Sequence, residues 1–141
     1  MTSAPTHPLP GSDVAPNGGP ATILVVDDDP SMRTILDLSL RLFGYVTLAA
    51  GEGEAALAIA REHPEIRLVI LDLVMSGLSG KALAERLKAS LPKASILYCS
   101  GHPASALARY EIDVSSGNFM QKPCRPPELQ QKIQELLAPH L

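Results

Sequence analysis

Three carboxylates in a row, Asp27-Asp28-Asp29, follow directly on the apolar run Ile23-Leu24-Val25-Val26. Three later runs end in the same manner. Leu68-Val69-Ile70-Leu71 stops on Asp72, Ile96-Leu97-Tyr98-Cys99 stops on Ser100, and the short stretch from Asn118 to Gln121 delivers Lys122-Pro123. An acid pair, a single acid, a hydroxyl and a lysine, each at the end of its own strand, form a kit for holding a divalent metal and a phosphoryl group. Crowded carboxylates repel one another, so keeping several ionised requires a cation. Mg2+ suits an all-oxygen site with one or two carboxylates, its own waters and phosphate oxygens. With a metal bound, one acid can act as nucleophile on a phosphoryl group, and Ser100 and Lys122 can supply donors for the resulting charge.

These groups meet only if the elements between them bring the strand ends together. From Thr22 onward, short apolar strands alternate with helical patterns, which predicts a parallel sheet covered on both faces. Asp29 can cap a first helix with Pro30 at its first position; Met32, Ile35, Leu36 and Phe43 are expected to face inward, and Gly44 ends it. A strand at Val46 to Ala49 follows, then a helix from about Glu52 to His63, stopped by Pro64. After the Leu68 to Leu71 strand, a helix from about Gly80 to Ser90 carries the stripe Leu83, Leu87, Leu91, with Pro92 as its stop. The fourth strand is Ser95 to Cys99, and a helix with a poor apolar stripe is expected at Pro103 to Tyr110. The fifth strand, Asn118 to Gln121, precedes a last helix at about Pro126 to Leu137 that turns Leu129, Ile133, Leu136 and Leu137 inward. Right-handed crossovers leave few ways to assemble five such units, and the simplest is a doubly wound open sheet. Its functional crevice lies beyond the carboxyl ends of the strands, where the acids, Ser100 and Lys122 converge.

The chain has 141 residues, enough for one domain with a real core. Residues 1 to 20 hold five prolines among glycine, serine and threonine, and bury too little to offset ordering entropy. They are expected to be a disordered tail, with residues 21 to 141 as the folded domain. A net charge of -3, with no Lys/Arg cluster longer than a pair, provides no basic field for nucleic acid. No apolar run approaches the roughly 20 residues that span a bilayer, and no signal segment is present. A soluble, cytoplasmic protein with neither a nucleic-acid nor a membrane partner is the expectation. Cys99 and Cys124 are too few for a disulfide framework and read as reduced packing thiols; His7, His63 and His140 receive no role.

The pattern resembles the receiver domains of two-component response regulators, including the chemotaxis regulator, over about residues 21 to 138. The resemblance rests on Val25-Val26-Asp27-Asp28, on Leu71-Asp72-Leu73-Val74-Met75 with Gly80 further on, on Cys99-Ser100-Gly101, and on Phe119 before Lys122-Pro123. It implies a flavodoxin-like (βα)5 sheet of strand order 2-1-3-4-5. It also implies that Asp72 accepts phosphate from a phosphohistidine on a sensor histidine kinase or a histidine phosphotransfer protein. Asp28, Asp72 and the Val74 carbonyl would bind Mg2+ directly, Asp27 would reach it through water, and Lys122 would contact the phosphoryl group and precede a cis proline bond. Ser100 and Phe119 would act as the switch, with the last strand and helix and the Pro103 to Tyr110 helix presenting the changed face. Ser76 replaces the family's usual proline and Ser100 its usual threonine. By the same resemblance Val74 and His102 would flank the path of the hydrolytic water; valine cannot orient that water, so slow self-dephosphorylation is expected unless His102 compensates.

Simpler and rival readings stand beside this one. The acids could merely complement a helix dipole, which is all that is expected of Asp29. Asp-x-Asp-x-Ser after an apolar strand also resembles haloacid-dehalogenase-type phosphatases, with Asp27 as nucleophile and Asp29 as general acid; it leaves Asp72 unexplained, and the closing acidic motif is missing. A receiver-like module that never takes phosphate is the third possibility. The expectation carried forward is a stand-alone receiver, monomeric or weakly dimeric, that is not an enzyme in the usual sense, signals to an unidentified protein, or relays phosphate onward.

Overall fold

The structure, a computed structural model, describes residues 19–73, 80–101 and 118–137. Five parallel strands form one sheet in the order β2-β1-β3-β4-β5: β1 is Thr22–Val26, β2 Val46–Ala50, β3 Ile66–Asp72, β4 Ser95–Ser100 and β5 Phe119–Gln121. Four helices are described, α1 (Pro30–Leu42), α2 (Gly53–Glu62), α3 (Gly80–Ser90) and α4 (Pro126–Leu137). The helix expected at Pro103 to Tyr110 lies outside the described residues. The doubly wound sheet is the one read from the residues, and its strand order is the one the family resemblance implies.

Strand alternation decides which helix each side chain meets. Leu24 and Val26 of β1, with Val69 and Leu71 of β3, join a core against α2 and α3 that includes Ala56, Leu57, Leu83 and Leu87. Ile23 and Val25, with Leu68 and Ile70, join the opposite core against α1 and α4, which contributes Leu36, Leu40, Leu129 and Ile133. Because β1 and β3 are covered on both faces, their apolar residues run unbroken from Ile23 to Val26 and from Leu68 to Leu71.

The helix ends follow local chemistry. Asp29 caps α1 by accepting a hydrogen bond from the Ser31 amide at 2.9 Å, with Pro30 inside the first turn. At its other end Gly44 takes φ +98°, a left-handed conformation that glycine adopts without a side-chain penalty. One inward assignment is corrected: Ile35 is 55% exposed. Met32, Leu36, Leu40 and Phe43 form the stripe that meets the core, and Ile35 lies about 100° away from it with Leu38 and Leu42. The strand boundaries shift slightly, Thr22 and Ala50 being included and Asn118 falling just before β5. No helix among the described residues is long and apolar enough to cross a membrane.

Candidate functional site

Parallel registration brings the strand ends to one rim. Val26 stands opposite Leu71 across the β1–β3 pair, Asp72 opposite Cys99, and Ser100 opposite Gln121. The next residues along are therefore neighbours. Asp27, Asp28 and Asp72 each place a carboxylate oxygen within 4.8 Å of the others. Asp27, Asp72 and Ser100 are buried, whereas Asp28 is exposed. The chain steps from β1 to β2 on one side and then crosses back to β3 on the other, so the crevice at the tips of β1 and β3 is at the sheet's switch point.

Lys122 enters from the far side of this rim. Its amide donates to the Ser100 carbonyl at 2.7 Å, which extends the β4–β5 pairing by one step. Its Nζ lies 2.8 Å from Asp27 Oδ2 and 3.5 Å from Asp72 Oδ2. Burial works to lower the lysine's pKa, but the hydrogen bond to Asp27 and the charge of Asp72 outweigh it and hold the ammonium above its ordinary value. The Lys122-Pro123 bond is cis. Phe119 is half-buried at the start of β5, opposite Tyr98.

Asp27 has both carboxylate oxygens engaged. Oδ1 accepts from the Asp29 amide at 2.9 Å while Oδ2 faces Lys122. Asp29 acts as the helix cap already described. Two contributions escaped the sequence reading. Arg33 donates from Nη1 to the Asp27 carbonyl at 2.7 Å, tying the first turns of α1 to the acidic tip. Gly51 leaves it room, since a Cβ there would sit 2.8 Å from that nitrogen. The available signal was position: helical side chains lean toward the N-terminus, so an arginine one turn past the cap reaches back to the strand end. Gly80 has an equally local reason, since its Cβ would come 2.9 Å from the Leu73 carbonyl oxygen. Val74 and His102, assigned to metal binding and to tuning of hydrolysis, lie outside the described residues, as does Ser76.

Fully ionised, three carboxylates face one ammonium, so the cluster carries an uncompensated negative charge that suits a divalent cation. The donors are all oxygen, in keeping with a hard ion such as Mg2+ rather than zinc. An arrangement of this kind can hold a cation beside a buried carboxylate, with a lysine and a hydroxyl at hand for a second anion.

The model of the response regulator receiver domain matches residues 23–134, and the chain belongs to that family. A relative from Cyanophora paradoxa, a probable transcriptional regulator ycf27, is 38% identical over 117 residues, which is 82% of this chain and 47% of the relative. The chain thus spans about half the length of the curated relatives it matches. The receiver domain of the hybrid histidine kinase CckA is similar in structure, with a TM-score of 0.70 at 30% identity, covering 84% of this chain and 100% of that one. A response regulator from Burkholderia pseudomallei, solved with a phosphorylated aspartic acid, a calcium ion and citrate, gives 0.72 at 25% identity over 83% of this chain and 68% of its own. Relatives named as transcriptional regulators conflict with the expected absence of any nucleic-acid partner, and that expectation is withdrawn. The charge balance on which it rested describes this domain alone.

Proposed function

We propose that this receiver domain takes a phosphoryl group on Asp72 and passes the change to a partner through Ser100 and Lys122. The observation that carries the choice of Asp72 is its position: a buried carboxylate at the end of β3, within 4.8 Å of the Asp27 and Asp28 oxygens and 3.5 Å from Lys122. The hold of the Asp29 amide and Lys122 on the two Asp27 oxygens weighs against the phosphatase-like reading, in which Asp27 would attack.

In the proposed step an Asp72 oxygen bonds to phosphorus as the bond to a histidine nitrogen of the donor breaks, and that imidazole keeps the electron pair and gains a proton. Lys122, 3.5 Å from Asp72, offers a positive charge to the incoming phosphoryl oxygens. The buried Ser100 hydroxyl, at the end of the adjacent strand, offers a hydrogen bond. Asp27, Asp28 and Asp72, with the Val74 carbonyl, would hold Mg2+, which when bound offsets the negative charge of the phosphoryl oxygens. The modified state is favoured only insofar as Ser100 and Lys122 bind the phosphoryl group better there than in the resting arrangement. Phe119, half-buried on β5, is the aromatic group proposed to follow Ser100. The donor would be a sensor histidine kinase or a histidine phosphotransfer protein, and relay to such a protein is the second reading, favoured by the likeness to the CckA receiver.

The test incubates wild type and Asp72→Asn with Mg2+ and a small acyl phosphate, then reads intact mass. One added phosphoryl group on wild type and none on the variant is the expected result. Addition to both, lost instead in Asp27→Asn, would return the phosphatase-like reading. In the same assay Val74→Asn should shed its phosphate faster than wild type.

A further inference from the structure

The chain has two cysteines, and the fold brings both to the rim of the proposed phosphorylation site. Cys99 precedes Ser100 on β4 and is 1% exposed; Cys124 follows Pro123 and is partly exposed. Their sulfurs share a hydrogen bond at 3.6 Å although 25 residues separate them. A disulfide needs about 2.05 Å between sulfurs, so side-chain rotation over roughly 1.5 Å would close the gap. Cys124 is the partly exposed residue of the pair and Cys99 the buried one, and the chain has no other cysteine to compete.

We infer that Cys99 and Cys124 are a peroxide-oxidisable dithiol site whose disulfide clamps together the segments carrying Ser100 and Lys122. In the reaction, the Cys124 thiolate attacks one oxygen of hydrogen peroxide and the O–O bond breaks. The departing hydroxide takes a proton and leaves as water, with a sulfenic acid on Cys124. The Cys99 sulfur then attacks that sulfur and displaces its hydroxyl as a second water. In total the two thiols give up two electrons and two protons, and one peroxide becomes two waters.

The surroundings suit this order of events. The bond from Cys99 lowers the Cys124 pKa against the effect of burial, and the Lys122 charge acts in the same direction. Cys99 is shifted the opposite way, first by that shared bond and then by burial. Cys124, the more exposed of the two, is placed to meet the oxidant, and the buried Cys99 to resolve it. The consequence for signalling rests on the function proposed above. Backbone pairing already joins Ser100 to Lys122 at 2.7 Å, and a covalent link between their neighbours fixes both in the resting arrangement. Uptake of phosphate by Asp72 should then fall severalfold.

The full-length chain is treated with hydrogen peroxide, then denatured and alkylated. Wild type should lose the mass of two hydrogens and both alkylatable thiols, remain monomeric, and recover on reduction. Cys124→Ser and Cys99→Ser should each fail to form the internal link, the second showing sulfenic acid on Cys124 instead. Thiols that survive in wild type, or links found only between chains, would overturn the site. In a second arm, oxidised wild type should take phosphate severalfold more slowly than reduced protein, and Cys124→Ser should show no such difference. An oxidised protein that forms the link yet takes phosphate at the reduced rate overturns the clamp. If reduced protein takes no phosphate, the proposed function fails while the mass arm still decides the dithiol site.

Discussion

The two halves of the rim are built to different standards. The acids stand on β1 and β3, where all five residues of β1 and six of the seven in β3 are buried and each strand has neighbours on both sides. Lys122 follows β5, a three-residue edge strand with no fully buried position, and Ser100 ends β4 beside it. Local stability follows buried apolar contact and shared hydrogen bonds, so the acidic half is the anvil and the β5 side is the part that can move. The switch proposed above needs that division: geometry at the proposed acceptor must persist while the responding groups rearrange.

The sharpest challenge to the contrast is a pair of truncations in one core. Ile70 and Met120 both pack on the α1–α4 side of the sheet, the first 1% exposed and the second only partly buried. Ile70→Ala should cost about 2–5 kcal/mol, the range for a large aliphatic removed from a close-packed interior. Met120→Ala should cost under about 2 kcal/mol, because its site is already partly solvated. Chemical denaturation reads both values, and equal losses would erase the distinction between the halves.

Lys122 couples the two halves, so its removal sharpens the comparison. Its side chain is 20% exposed against 2% for Asp27, and deleting one partner of a buried pair leaves the other charge stranded. Lys122→Met, which retains the apolar stem, should cost about 1–3 kcal/mol, the residual exposure trimming the loss expected of a dry pair. It should also enlarge the rise in melting temperature produced by Mg2+, since no ammonium then competes for the carboxylate oxygens. A smaller Mg2+ response in the variant would mean that the lysine does not oppose cation binding.

The same residue gives a pH signature. Its folded pKa is raised above the ordinary 10.5, so the folded protein holds the proton more tightly than the unfolded chain does. The stability this contributes is whole below 10.5 and is lost as pH climbs through the higher folded value. The stability difference between wild type and Lys122→Met should therefore hold steady up to about pH 10 and shrink between about pH 10.5 and about pH 12. A difference that stays constant across that interval would detach the ammonium from the acids.

The contrast between the halves also marks what could be read beforehand. The acidic half was legible because continuous apolar runs ending in carboxylates have few uses other than a buried parallel strand with a site at its tip. Asp27, Asp72 and Lys122 meet as their strand ends require, and backbone pairing sets Ser100 beside Lys122. Helix α1 was read less well, since five large aliphatics among Ile35, Leu36, Leu38, Leu40 and Leu42 overfill one stripe. Period alone then admits two faces, and only the neighbouring sheet chooses the one centred on Leu36 and Leu40. Arg33 was missed for another reason. A charged helical residue is usually solvated, and its hydrogen bond to the Asp27 carbonyl depends on the space left by Gly51, which belongs to a different element. The closeness of Cys99 and Cys124 arises in the same manner, from a strand pairing that brings distant segments together.

The smallest expected effect separates neighbours within the acidic half. Asp28 contributes an oxygen to the carboxylate cluster, whereas Asp29 turns away to cap α1 through the Ser31 amide. Removing a cap costs about 1 kcal/mol, so Asp29→Ala should lower stability by about that much and leave the Mg2+-induced rise in melting temperature as in wild type. Asp28→Ala should do the reverse: it is exposed, its loss relieves repulsion among the acids, and apo stability should hold or improve while the Mg2+ response collapses. Thermal melts of the two variants with and without Mg2+ check both. Because the residues are adjacent and both acidic, bulk charge cannot explain opposite outcomes; only the direction in which each side chain leaves the strand end can. If both variants lost the Mg2+ response equally, the ion would be held by diffuse charge, and the firm acidic half of the rim would be no metal site.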